Sequence, residues 1–255
     1  MKRIETTWGN VAPWYDDLLE GTGGSDTYQQ KVLLPNLTRL LAPFKGGRVA
    51  DVACGQGFFS RELDKLGMEV IASDISRELI TIARKKSPKT ISYHVSPAHT
   101  LGFIADGSID AVLIVLAIQN IDSIARVCKE VGRVLRPGGT FFIVMNHPAF
   151  RIPKFSSWGF DREKGIEYRR LDAYMSESRA VIEMHPGATH KSQTKSFHRP
   201  LQYYVKHLSS ASFSITRLEE WMSHKTSGTG PRKSAEDRAR KEFPLFLMLQ
   251  AEKRK

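Results

Sequence analysis

Four residues in the first third of the chain have the types and spacing for binding chemistry: Asp51, Gly55, Gly57 and Asp74. Gly55-Gln56-Gly57 interrupts an apolar run, Val49 to Ala53, and the chain restarts at Phe58 with a helical pattern to Leu66. A strand, a glycine turn and a helix start present backbone N–H groups to a ligand, and the glycines let that ligand come close. Asp74 closes a second apolar run, Gly67 to Asp74, 17 positions beyond Gly57. A carboxylate at such a tip can accept from both hydroxyls of a ribose. The chemistry implied is the binding of a nucleotide-bearing ligand. The same residues admit plainer roles, a tight turn for the glycines and an N-cap for Asp74 ahead of the helix that begins at Ile75. Gly55-x-Gly57-x-x-Ser60 also nearly fits a nicotinamide-dinucleotide fingerprint.

Such residues need a parallel sheet to line them up. Lys89 to Val95, Ile109 to Leu116 and Thr140 to Asn146 read as the third to fifth strands, with a helix from Ile121 to Leu135 before the last. Their near-continuous apolar character suits strands buried on both faces, so the fold class is α/β. Ahead of the sheet, Trp8, Val11, Trp14, Tyr15, Leu18 and Leu19 recur at helical spacing, and Tyr28 to Leu41 continues as a second helix kinked at Pro35. Gly21 to Ser25 between them suits a hinge, so residues 8–30 are expected to form a lid that orders on ligand binding. After the fifth strand comes a stretch of mixed aromatics, prolines and basic residues, His147 to Phe160. Gly165–Met175 and Ser178–Met184 alternate well enough to pair as a β-hairpin, and His185 to Pro200 reads as a polar loop before a helix from Leu201. Phe213–Trp221 and Pro244–Ala251 are the last two strands, separated by a basic helix over 231–242.

Asp51-Val-Ala-Cys-Gly55-Gln-Gly57, with Asp74 and the Pro137-Gly138-Gly139 turn into the fifth strand, resembles the class I S-adenosylmethionine-dependent methyltransferases. The opening Trp8-Gly-Asn-Val-Ala-Pro-Trp-Tyr15-Asp16 is similar to the ubiquinone/menaquinone-biosynthesis branch of that family. The resemblance covers residues 8–146. It implies a Rossmann-like, seven-stranded, mostly parallel sheet with helices on both faces and an antiparallel last strand. It divides the chain into a helical lid (1–45), an S-adenosylmethionine-binding core (46–146), a substrate cover (147–200) and a completion of the sheet (201–255). The implied cofactor set is Tyr15, Asp51, Ala53, Gly55, Gly57, Asp74, Ile75, Ala98, His99 and Leu116. Pro97 departs from the family pattern, standing where an acid is expected to hold adenine, which leaves that task to Ser96, Ala98 or His99. Gln119, Arg151, Trp158 and Arg199 are the expected acceptor contacts. Methyl transfer from a sulfonium needs no acid for its leaving group, and a base only where the nucleophile carries a proton. His147 is the first expectation for such a base and His198 the second, each weighed against a structural role.

The chain of 255 residues is long enough for one large α/β domain with a cover, and its 41% hydrophobic and 25% charged content is ordinary for a globular protein. A net charge of +11 favours anionic partners. A small-molecule acceptor is expected first, and an RNA or protein acceptor, met by Arg169-Arg170 and the basic C-terminal helix, second. A nicotinamide oxidoreductase or a non-catalytic cofactor-binding module comes behind these. Cys54 and Cys128 form neither a disulfide framework nor a metal set. With no apolar run of membrane-spanning length and no secretory core at the start, a cytoplasmic location is expected.

Overall fold

The computed structural model describes residues 7–21, 26–184 and 193–254. Its frame is a seven-stranded sheet of β1 (Arg48–Val52), β2 (Glu69–Asp74), β3 (Ser92–Val95), β4 (Ile109–Val115), β5 (Leu135–Asn146), β10 (Phe213–Trp221) and β11 (Phe246–Lys253). The spatial order is β10-β11-β5-β4-β1-β2-β3. The first five strands run parallel, and β11 lies antiparallel to both β5 and β10. The order reverses between β1 and β4, so their carboxyl ends open a crevice, the usual ligand position in such sheets.

Both faces of the sheet are buried. On β4, Val112 and Ile114 pack towards α5 (Ile124–Val134) and α6 (Leu201–Ser210), through residues such as Val127, Val131, Tyr204 and Leu208. Ala111 and Leu113 face the opposite layer, built from α2 (Leu34–Leu41), α3 (Phe58–Lys65) and α4 (Arg77–Lys86). This two-sided burial is why β4 reads as an unbroken apolar run. Arg136-Pro137-Gly138-Gly139 is not a turn ahead of β5 but an irregularity within it. The partners of β5 step from Ile109↔Leu135 to Ala111↔Thr140, and Gly138 takes up the excursion at φ 75°.

Helix α1 (Ala12–Glu20) follows a 3-10 turn over Thr7–Val11. A π-helical turn over Gln29–Leu33 then leads into α2. The turn widens just before Pro35, whose ring cannot donate to the carbonyl four residues back, and Asn36 Nδ2 donates to Val32 O at 2.9 Å. The expected hinge at Gly21–Ser25 lies, from residue 22 on, outside the described residues.

The region 147–200 differs from its sequence reading. Gly165–Met175 does not pair with Ser178–Met184. Instead β7 (Ile166–Leu171) pairs with β6 (Ser156–Asp161), and β8 (Ser178–Glu183) pairs with β9 (Gln193–His198), a strand where a polar loop was expected. The β6–β7 turn is fixed by Asp161 Oδ1, which accepts from the N–H groups of Glu163 and Lys164, and by Gly165 at φ 62°. The first hairpin rests on α7 (Lys233–Glu242) and the second on the Ile118–Asn120 turn after β4.

Candidate active site

Strand β1 ends in three left-handed backbones within five residues, Ala53 (φ 59°), Gly55 (φ 59°) and Gly57 (φ 83°). They fold the loop tightly back over the strand tips, with Cys54 N donating to Ser73 O at 2.9 Å. A side chain at Gly57 would also strike the Tyr93 hydroxyl, 2.4 Å from its Cβ position. Asp74, buried at the tip of β2, accepts from Gly55 N (2.9 Å) on one oxygen and from Ser76 N (2.8 Å) on the other. The carboxylate thereby fixes the glycine loop against the start of α4. Beside it, Asp51 accepts from Ser60 Oγ at 2.6 Å.

The two buried acids share one corner. Burial, eased by the Ser60 bond and aggravated by the charge of Asp74, pushes the Asp51 carboxyl up to about 6. Burial also raises Asp74, against the bonds from Ser76 and Gly55. Tyr15, reaching over from α1, is pushed up to about 12, first by burial and then by Asp74 and Asp51. Its hydroxyl therefore stays protonated at neutral pH and is a donor.

A cleft of about 470 Å³ opens above this floor, within the ordinary range for small-ligand sites. Of the residues expected at a cofactor, Tyr15, Asp51, Ala53, Gly55, Asp74, Ile75, Ala98, His99 and Leu116 line it. Gly57 does not; it turns the chain beneath. Gln56 lines the cleft and gives its Oε1 to Arg61 at 2.6 Å, while its buried Nε2 has no partner among the described residues. A buried donor left without an acceptor is costly unless a ligand supplies one. At the far end, Ser96 Oγ donates to Thr100 O and His99 Nε2 accepts from Arg126 at 2.7 Å, so neither side chain is held in reserve for adenine. Ala98 remains at the wall there.

The expected acceptor side needs more correction. His147 is buried away from the cleft. Its Nδ1 accepts from the N–H groups of Ala149 (3.2 Å) and Phe150 (3.3 Å), and its Nε2 therefore donates to Glu220 at 2.8 Å. His198 is buried with Nε2 on Tyr174 O at 2.7 Å. Both imidazoles are structural ties. Arg199, 3% exposed, donates to Ile121 O (2.9 Å) and Asp122 O (2.7 Å) between the rings of Phe197 and Tyr203. It holds the cleft wall from behind rather than lining it. Gln119 turns back to Leu116 O at 2.7 Å, and its neighbour Asn120 lines the cleft in its place. Trp158 stands on β6 against Phe243 and under Arg169, and Arg151, like Trp158, is absent from the lining.

The remaining wall comes from Trp8, Leu19, Gln29 and Phe59, from Ile121–Ser123 and Arg126, and from Gln193, Thr194 and Lys195 on β9. Trp8 belongs to the opening segment already singled out. The β9 residues carry no signal in the sequence, because the strand reads as part of a polar loop. Among the described residues no cluster of His, Cys, Asp and Glu could hold a metal ion, and no helix is long and apolar enough to cross a membrane.

Residues 50–143 match the family described as the methyltransferase domain. The chain is 30% identical over 157 residues to a biotin biosynthesis bifunctional protein of Cellvibrio japonicus, covering 62% of this chain and 30% of that protein. It is 33% identical over 143 residues to a demethylmenaquinone methyltransferase of Chlorobaculum parvum, covering 55% of this chain and 58% of that protein. It thus spans less than two thirds of the length of these curated relatives. A solved S-adenosylmethionine-dependent methyltransferase from Mesorhizobium loti superposes with a TM-score of 0.67 at 26% identity, over 86% of this chain and 96% of that one.

Proposed function

We propose that this chain, whose residues 50–143 match the methyltransferase domain family and which superposes on a solved S-adenosylmethionine-dependent methyltransferase, is a class I methyltransferase that transfers a methyl group from S-adenosylmethionine to an O, N or C atom of a small acceptor. The observation that carries this reading is the Asp74 carboxylate, buried with each oxygen already fixed by one backbone N–H. Backbone N–H groups, that of Ile75 among them, fix the carboxylate in place, and its remaining acceptor capacity suits the hydroxyls of a ribose. Asp51, stripped of water and charged only above about pH 6, gains from any cation brought alongside. The unpartnered Nε2 of Gln56 awaits an acceptor in the same loop. An adenosine bearing a sulfonium and an amino acid fits all three.

When bound, that cofactor supplies an electrophilic methyl carbon and leaves as a neutral thioether. The chain's own share is positioning and the exclusion of water. Asp74 and the glycine loop would hold the nucleoside, the Tyr15 phenol stands near the two acids, and α1 and β9 both contribute to the cleft wall. His147 and His198 are both engaged elsewhere and move no proton in this scheme.

The Chlorobaculum relative is named for demethylmenaquinone, an acceptor that is not a polymer. Arg169 and Arg170, which a polymer acceptor would use, are committed to Phe150 O, Ser156 Oγ and Asp172. Calorimetric titration with S-adenosylhomocysteine tests the reading. The wild type should bind, and Asp74→Asn should weaken binding by about tenfold to a hundredfold, the worth of hydrogen bonds to a charged group. No heat with the wild type, or equal affinity in the variant, overturns it.

A further inference from the structure

Among the described residues that line the cleft, none stands as an uncommitted base for an acceptor's proton. Asp51 and Asp74 hold the cofactor floor, and Cys54 is kept a thiol by burial. Tyr15 stays a phenol. His99 uses Nε2 to accept from Arg126. Asp122 lies with its side chain 89% exposed, one oxygen 3.9 Å from the Arg199 guanidinium. None of these described groups is set to take a proton from a neutral alcohol or unactivated phenol.

The cleft is lined by cations as well as by these acids. Lys195 on β9 lines it, and among the described residues no carboxylate forms an ion pair with it. Arg126 lines it too, with its guanidinium on two neutral acceptors, His99 Nε2 and Ser123 Oγ (3.2 Å). The same lining includes the apolar Trp8, Leu19 and Phe59. β9 packs on the Ile118–Asn120 turn that follows β4 and on the Thr7–Val11 turn, so Lys195 reaches the cleft from an element outside the glycine loop.

We infer that the acceptor is a small apolar oxyanion, a carboxylate or an acidic phenolate, drawn in and held by Lys195. This inference rests on the methyltransferase reading above and names the acceptor class for that site. The oxyanion forms a bond to the methyl carbon while the carbon–sulfur electron pair goes to sulfur. A cation and an anion become two neutral groups, an ester or ether and a thioether, and no proton moves. That balance needs no base from the cleft. Loss of both charges also makes the products bind less well than the reactants beside Lys195, which favours release.

The test uses the full chain loaded with S-adenosylhomocysteine, whose binding is measured first so that failure of the cofactor reading is seen separately. Benzoate and hexanoate are then titrated against their neutral amides, benzamide and hexanamide. The carboxylates should bind about tenfold tighter than the amides, and Lys195→Gln should remove most of that difference, as expected for an ion pair at an apolar wall. Lys195→Arg should restore it, and S-adenosylhomocysteine affinity should be unchanged in both variants. With the methyl donor present, Lys195→Gln should raise KM for the acid and leave kcat nearly unaltered. Amides binding as well as acids, an unaffected Lys195→Gln variant, or a loaded protein that takes up neither carboxylate at millimolar concentration overturns the inference.

Discussion

Asp51 spends its life in the folded protein as a strained charge, and that strain has a sign that can be measured. Its carboxyl titrates near 6 in the fold because burial removes its water, against roughly 3.9 in an unfolded chain. A raised folded value means the native state binds the proton more tightly than the unfolded one. The stabilisation is complete below the unfolded value and is lost as pH rises through about 6. Two units amount to about 3 kcal/mol above that pH. Replacing the acid with a neutral isostere, Asp51→Asn, should therefore raise the melting temperature of the ligand-free protein at pH 7.5 by roughly 6–12 °C. The gap between variant and wild type should close towards pH 5. Ser60 keeps its hydrogen bond to the Asn oxygen, so the comparison isolates charge. The same variant should bind S-adenosylhomocysteine more weakly, since the ammonium then meets no anion. A melting difference that does not shrink on acidification would sink the argument. The binding corner is thus stabilised by its ligand and destabilised without it, a trade common at functional sites.

At the scale of elements, helix α1 is latched by charge to α3 and α4. Lys86 reaches Asp16 (2.5 Å) and Glu20 (2.9 Å), and Arg61 pairs with Glu20 while donating to Gln56 O (2.8 Å) and Gln56 Oε1 (2.6 Å). Burial works to raise the Glu20 carboxyl, but the bonds from Lys86 and Arg61 hold it below the usual range. Arg61 joins α1 to the glycine loop, so loosening one end is felt at the other. Glu20→Gln should weaken S-adenosylhomocysteine binding roughly threefold to fivefold at low salt, the worth of a partly exposed ion-pair network, and should have little effect at high salt. Calorimetry at both salt levels reads this, and equal losses at the two would point to packing instead. None of this latch was legible in the sequence, because Asp16, Glu20, Arg61 and Lys86 share no local pattern. Element identity was a different matter. Strands β1 to β5 announced themselves by apolar runs that only two-sided burial explains, and α1 by its spacing of three and four. The hairpins went astray because alternation identifies a strand without naming its partner. Ser156–Asp161 hid behind Gly159, a residue that weakens a strand but here is covered by the ring of Tyr168.

At the scale of the whole molecule, the sheet separates what was readable from what was not. The floor of the cleft is built largely from segments that follow β1 to β4, each close in sequence to a motif, and the residues expected at a cofactor, Gly57 apart, line the cleft. The acceptor wall is assembled from three distant stretches, around Trp8, Asn120 to Arg126 and Gln193 to Lys195. Only tertiary packing brings them together, so no spacing rule finds them. What holds that wall is Arg199, a guanidinium buried at 3% exposure between two rings and bonded to two carbonyls of the chain just ahead of α5. Arg199→Leu keeps the bulk and removes the donors, leaving the Ile121 and Asp122 carbonyls without their partner. Such a loss costs about 3 kcal/mol when the acceptors cannot reach water, equivalent to roughly 6–12 °C in melting temperature for a chain of this size. The damage should be local before it is global. Hydrogen exchange should quicken over residues 118–126 and in β9, while the loop of residues 53–57, pinned by Asp74 from the other side of the crevice, should keep its protection. Uniform loss of protection across both would mean that Arg199 supports the core as a whole and that the two walls of the cleft are one cooperative unit.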